Sequence, residues 1–128
     1  MRAFILFALV YSVTCQMKFS PEDLQIIMKH NPECQKESNA QQSMIMGVIQ
    51  GQFVEDPALK KHILCLGKKL NYIDEDGKFD ADVIREKLAQ SISDSGKIED
   101  LIGKCLTEKE TAEETAYQSI KCMFDNLK

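Results

Sequence analysis

Four cysteines, Cys34, Cys65, Cys105 and Cys122, with 30, 39 and 16 residues between them, lie behind an apolar N-terminal stretch. An even set of cysteines in a short exported chain reads as a disulfide framework. Intervals this long do not fit a small knot of loops, and they lack the close CxxC pairs of a structural zinc site. They fit long helices tied at a few points. Four cysteines allow three pairings, and spacing alone does not choose among them.

The export signal is explicit. Arg2 precedes an apolar run from Ala3 to Val10, and Val13 and Cys15 stand at the −3 and −1 positions of a cleavage site. Residues 1–15 therefore read as a signal peptide, too short to span a membrane. Cleavage removes the odd cysteine, Cys15, and leaves residues 16–128 as a single domain bound for oxidising extracellular fluid. No later segment offers the roughly 18 uninterrupted apolar residues of a membrane span. The net charge of −4 becomes −5 once Arg2 leaves. A mildly acidic chain is poorly suited to nucleic acid or anionic lipid. The basic pairs Lys60-Lys61 and Lys68-Lys69 read as a solvated helix face.

Along the chain, short amphipathic segments alternate with turn residues, which predicts an all-α fold of about six helices. Ser20-Pro21-Glu22-Asp23 is a helix start, with a serine cap, proline at the first position and acids in the first turn. Leu24, Ile27 and Met28 share a face, and Pro32 is expected to disturb the helix near Cys34. A second helix is expected from about Asn39, with Ile45, Val48 and Ile49 turned inward and Gly51 as its stop. Asp56-Pro57 opens a third, with the stripe Leu59, Ile63, Leu66 and Leu70. Asp74 to Gly77 is a turn, and Asp80 caps a fourth helix that buries Val83, Ile84 and Leu88. After a break at Ser93 to Gly96, a fifth carries Ile98, Leu101, Ile102 and Cys105. Thr107 and Glu110 have capping-box spacing for a sixth, with the stripe Ala112, Ala116, Ile120, Met123 and Leu127.

This order of leader, helices and cysteine intervals resembles the insect odorant-binding family, the pheromone-binding and general odorant-binding proteins. The segment Cys65-Leu66-Gly67-Lys68-Lys69-Leu70, followed by Ile73-Asp74-Glu75-Asp76-Gly77-Lys78-Phe79-Asp80, is similar to a family stretch between the third and fourth cysteines. The resemblance implies the pairs Cys34–Cys65 and Cys105–Cys122. The family's remaining two cysteines fall on Lys61 and Glu113 here, so one whole disulfide is absent, as in the four-cysteine, minus-C subgroup. The resemblance then implies that Lys61 and Glu113 face each other, and a salt bridge is expected between them.

Catalytic and metal chemistry find little support. For Asp74-Glu75-Asp76-Gly77 to be a calcium loop with Gly77 sixth, Tyr72 would be first and Val83 twelfth, and neither is a ligand. His30 and His62 have no HxxxH or HExxH partner and read as surface or helix-end residues. Neither a phosphate-cradling glycine loop nor GxSxG occurs. No enzyme, metal or cofactor is expected.

By resemblance the chain is a secreted carrier of small hydrophobic molecules such as odorants or pheromones. The ligand-lining set so implied is Met28, Ile45, Val48, Ile49, Phe53, Leu66, Leu70, Tyr72, Ile84, Leu88, Ile102, Ala116, Tyr117, Ile120 and Phe124. From composition alone Met44, Met46, Met123 and Phe79 are as well explained as core. Tyr117 or Ser119 would orient a ligand's polar group. The expected partners are that ligand and a chemosensory receptor, with the protein a monomer or weak dimer. Only Met123 to Lys128 follow the last cysteine, so the tail is expected to be no large lid; Phe124 and Leu127 can pack against the sixth helix, and deleting Asn126 to Lys128 is expected to change affinity little. The alternative is a secreted helical interaction protein of salivary or seminal type, acting through its surface. A closed apolar cavity separates the two readings, because a surface-acting bundle is packed to native density.

Overall fold

The computed structural model describes residues 20–127. The proposed leader, Cys15 and Lys128 lie outside them. Six helices are present among the described residues: α1 Pro21–Ser38, α2 Gln42–Ile49, α3 Pro57–Lys69, α4 Ala81–Ala89, α5 Ser95–Cys105 and α6 Ala112–Asn126. The extended contact is a single bridge between Ile73 and Phe79 that pinches the turn before α4.

Local chemistry sets most of the boundaries. Ser20 accepts from the Asp23 amide, Asp56 from Ala58 and Asp80 from Val83, each closing a first turn whose backbone donors would otherwise be orphaned. Asp94 caps α5 through the amides of Gly96 and Lys97. Three expectations are corrected. Pro32 does not end α1: the helix runs through it to Ser38 and stops at Asn39, which sits at φ 61° with its amide bonded to the Gln35 carbonyl. Asn39 therefore closes α1 and does not open α2. The cap of α6 is Thr111, bonded to the Glu114 amide, and not Thr107. Gly77 is needed where it stands. It adopts φ 79°, and a Cβ there would meet the Cα of Ala112 at 3.1 Å, so the turn presses directly on the start of α6.

The helices follow one another around a centre. α1 packs on α3, α3 on α6, α6 on α5 and α5 on α4, while α2 leans on α3. Cys34–Cys65 joins α1 to α3, with Cα atoms 5.6 Å apart, and Cys105–Cys122 joins α5 to α6 at 5.4 Å. These are the pairs the resemblance implies. α1 and α4, the two ends of this row, do not pack on each other.

Lys61 and Glu113 form no ion pair. Their neighbours do: Lys60 Nζ lies 2.7 Å from Glu114 and 2.8 Å from Glu55, and 5.0 Å from the centre of the Tyr117 ring. α3 and α6 are adjacent as expected, but it is the flanking residues that turn toward each other. Lys60 is thus a bound cation, not part of a free solvated face. Glu114, and to a smaller extent Glu55, hold its ammonium above the usual lysine range.

Candidate functional site

The row of helices leaves a cavity of about 770 Å³, partly open to solvent. Every helix contributes to its wall: Ile27 from α1, Val48 from α2, Ile63 and Leu66 from α3, Ile84 and Leu88 from α4, Lys97 from α5, and Ala116, Ile120 and Met123 from α6. Leu70, Tyr72, Ile73 and Phe79 come from the segment between α3 and α4. The exposed lining residues Pro21, Gln90, Ser91 and Lys97 mark the mouth. The chamber is therefore not the closed one expected from the resemblance. A second depression, about 700 Å³, is a shallow polar surface around Lys68, Asp74, Glu75 and Lys78.

Eight of the expected lining residues meet on this wall: Val48, Leu66, Leu70, Tyr72, Ile84, Leu88, Ala116 and Ile120. Seven do not, for identifiable reasons. Met28 is 72% exposed, because the buried face of α1 is Asp23, Ile27, Cys34 and Ser38, two of them polar. Ile49 is exposed and Ile45 is buried within the short α2, away from the chamber. Ile102 is half-buried behind the wall. Phe53, Tyr117 and Phe124 form their own edge-on aromatic cluster, with Phe53 5.9 Å from Tyr117 and 5.4 Å from Phe124. Edge-to-face packing of this kind fills space and leaves none for a ligand. α6 is buried on two faces, and periodicity finds both without saying which one lines a void.

The polar groups also differ from expectation. Tyr117 donates its hydroxyl to the Val54 carbonyl, and Ser119, though on the wall, donates to the Ala116 carbonyl. Neither offers a free donor to a ligand. Other polar residues of the lining are Ser20, Gln90, Ser91 and Lys97, the last three at the mouth, and Asp23, Tyr72 and Lys87, which cluster on one wall. Tyr72 donates to Asp23 Oδ2 at 2.6 Å, and burial, followed by this contact, pushes its phenol far above the ordinary range. Asp23 was legible only as a first-turn acid; no sequence signal marked it as buried.

His62, expected at a surface, is 1% exposed on α3. Its Nε2 is 2.9 Å from Asn31 Oδ1 and its Nδ1 3.4 Å from the Ser38 hydroxyl. This fits a neutral ring donating through Nε2, and burial lowers its pKa below the usual histidine value. The Asp74 run is a turn: Asp74 Oδ1 accepts from the amides of Asp76 and Lys78. Among the described residues no cluster of His, Cys, Asp and Glu could hold a metal, and no helix is long and apolar enough to cross a membrane.

Residues 16–126 match the PBP/GOBP family. The chain belongs to that family. The B2 protein of Tenebrio molitor is 35% identical to it over 103 residues, 80% of each chain. Among solved structures, the THP12 carrier protein of the yellow meal worm is 32% identical with a TM-score of 0.62, covering 76% of this chain and 90% of that one. The odorant-binding protein OBP28a of Drosophila melanogaster is 20% identical and shares the fold at a TM-score of 0.71, over 83% of this chain and 93% of that one. PBP/GOBP proteins are carriers and not enzymes. The two disulfides among the described residues are the minus-C form of the family.

Proposed function

We propose that this PBP/GOBP protein is a secreted carrier that reversibly takes small hydrophobic molecules, odorants, pheromones or similar semiochemicals, into the cavity between α1, α3, α4 and α6. The observation that carries the reading is the chamber itself, about 770 Å³ and lined chiefly by Ile, Leu, Met and aromatic side chains. That volume falls within the range of ligand pockets, about 300–1,000 Å³. The chamber is open at its mouth, so its size and apolar lining favour the carrier over a bundle acting through its surface, and the displacement test separates the two. Binding is driven by release of water from apolar surface on both partners, with no covalent step. For a ligand of ten to fifteen heavy atoms, micromolar affinity is about −8 kcal/mol, within the limit for ligands of that size.

The test is displacement of the fluorescent probe N-phenyl-1-naphthylamine from the mature chain, residues 16–128. Terpenoid or aliphatic volatiles should displace it at micromolar concentration. Probe fluorescence that no apolar compound can compete away would leave the surface-acting alternative standing. Native mass spectrometry of protein extracted from tissue should then show a mass excess equal to one small molecule.

A further inference from the structure

The row of helices has one seam. α1 and α4 do not pack together, and the link across them is the side-chain cluster Asp23, Tyr72 and Lys87, all on the cavity wall. Tyr72, from the segment before α4, bonds Asp23 Oδ2. Lys87 Nζ, from α4, stands 3.1 Å from Asp23 Oδ1 and 3.8 Å from Glu22. Asp23 is 5% exposed, and its Oδ1, though ion-paired, has no aligned hydrogen-bond donor. A buried carboxylate beside an apolar chamber is costly to keep, and a buried ion pair is often no more stabilising than a well-packed apolar substitute.

The hydrogen inventory says what the cluster can receive. The Tyr72 phenol has given its one hydrogen to Asp23, so its oxygen can only accept. Asp23 Oδ1 is closed off from any water-sized group, so what the cluster turns toward a ligand is the Tyr72 oxygen and the Lys87 ammonium. Lys87 has three hydrogens; its ammonium is ion-paired with Asp23 and lies too far from Glu22 for a hydrogen bond, so it has hydrogens left to give. A ligand group that donates once and accepts once satisfies both. A carboxylate donates nothing and brings a second negative charge beside Asp23, where Lys87 is already offset. With little water to screen them, two such charges disfavour each other strongly.

We infer that Asp23, Tyr72 and Lys87 form the subsite for the polar end of the ligand, and that it takes a hydroxyl group and turns away a carboxylate. This rests on the carrier reading and narrows it: the cargo is an apolar alcohol, not a fatty acid. The three residues sit toward the α1–α4 seam, so the hydroxyl lies there while the hydrocarbon extends toward Ala116, Ile120 and Met123.

The experiment compares dodecan-1-ol, dodecanoic acid and dodecane as competitors of N-phenyl-1-naphthylamine at neutral pH, with the mature chain. Dodecan-1-ol should bind at least about tenfold more tightly than the acid and measurably more tightly than the alkane. Asp23→Asn removes the charge and nearly preserves the shape. It should strengthen acid binding about tenfold, weaken the alcohol and collapse their ratio. Lys87→Met leaves Asp23 unbalanced and removes the donor to the hydroxyl, so it should weaken the alcohol and weaken the acid still more, widening their ratio; it decides the matter if Asp23→Asn fails to fold by circular dichroism. Equal binding of acid and alcohol by the unaltered protein overturns the inference and leaves the carrier reading intact. So does an alcohol-to-acid ratio that folded Asp23→Asn or Lys87→Met leaves unchanged. If none of the three competitors displaces the probe, both readings fall.

Discussion

The two flanks of the cavity are built differently. On the α1–α3–α6 side, side chains interlock without space: Cys34, Leu59, His62, Thr115 and Tyr117 are each under 2% exposed. On the α4–α5 side no side chain is so deeply buried, and α4 has Ile84 as its one buried residue. The same kind of amphipathic stripe thus meets another helix on one side and the chamber on the other. Each flank has one disulfide, and the seam between α1 and α4 is bridged by Asp23 and Lys87. The close-packed flank is a frame and the other a panel. The panel has a buried cluster of its own, Ile84, Leu101 and Cys105 with Met123, but none of its side chains is as closed to solvent as those of the frame, and on that ground it is expected to yield first when a ligand enters.

Removing the disulfides one at a time is the severest way to break this contrast. Chain-entropy reasoning assigns each about 3–4 kcal/mol, so Cys34→Ala with Cys65→Ala, and Cys105→Ala with Cys122→Ala, should both lower the Tm markedly. Their effects on binding should separate. The frame variant, assayed well below its Tm, should keep probe affinity close to that of the parent, whereas the panel variant should lose it. Equal losses in both would show that the two flanks are not mechanically distinct.

His62 sharpens the frame side. Its ring is neutral in the folded state and its pKa lies below the unfolded value, near 6.5. The unfolded chain therefore takes up the proton first as pH falls, so this contribution to stability is fully present above about pH 6.5 and is lost on acidification below it. Urea unfolding between pH 7.5 and pH 5 should show that slope, and His62→Gln should abolish it. At neutral pH the variant should cost about 1–3 kcal/mol, because Asn31 and Ser38 lose a buried partner. A carboxylate component enters only at lower pH. Glu33, Glu99 and Glu114 are held below their usual range chiefly by Lys69, Arg85 and Lys60, and their contributions fade as they protonate.

Filling the chamber addresses binding and leaves the frame alone. Ile120→Trp, on the α6 wall, should lower probe affinity about tenfold, or 1.4 kcal/mol, with a small change in Tm, since the void accepts the larger ring. A large fall in Tm with affinity retained would mean that the wall is already close-packed. The smallest effect belongs to the tail. Leu127 lies on the cavity wall and packs against the cluster of Ile84, Leu101, Cys105 and Met123, so the short tail adds one side chain to the wall. Leu127→Ala should weaken binding about threefold, under 1 kcal/mol, as read in the same titration.

Helix class, the caps at Ser20, Asp56 and Asp80 and the inward stripe Leu59–Leu70 were legible because they depend on residues a few positions apart. So was part of the chamber wall: Ile84, Leu88, Ala116 and Ile120 fall on the stripes that face it. Pro32 was misread because its penalty is local, whereas α1 packs along α3 and is tied to it at Cys34, contacts that hold the helix across the break. The disulfide pairing came from resemblance, since spacing left three pairings open. By itself the sequence determined the elements, their caps and the apolar faces available for burial, because those follow from backbone hydrogen bonding and a period of 3.6 residues. Only the tertiary structure decided which apolar face meets another helix and which meets a void, and that Asp23, Tyr72 and Lys87, as far as 64 positions apart in sequence, share one wall. Period and propensity carry no information about what lies opposite a face; that depends on the order in which the helices pack around the centre.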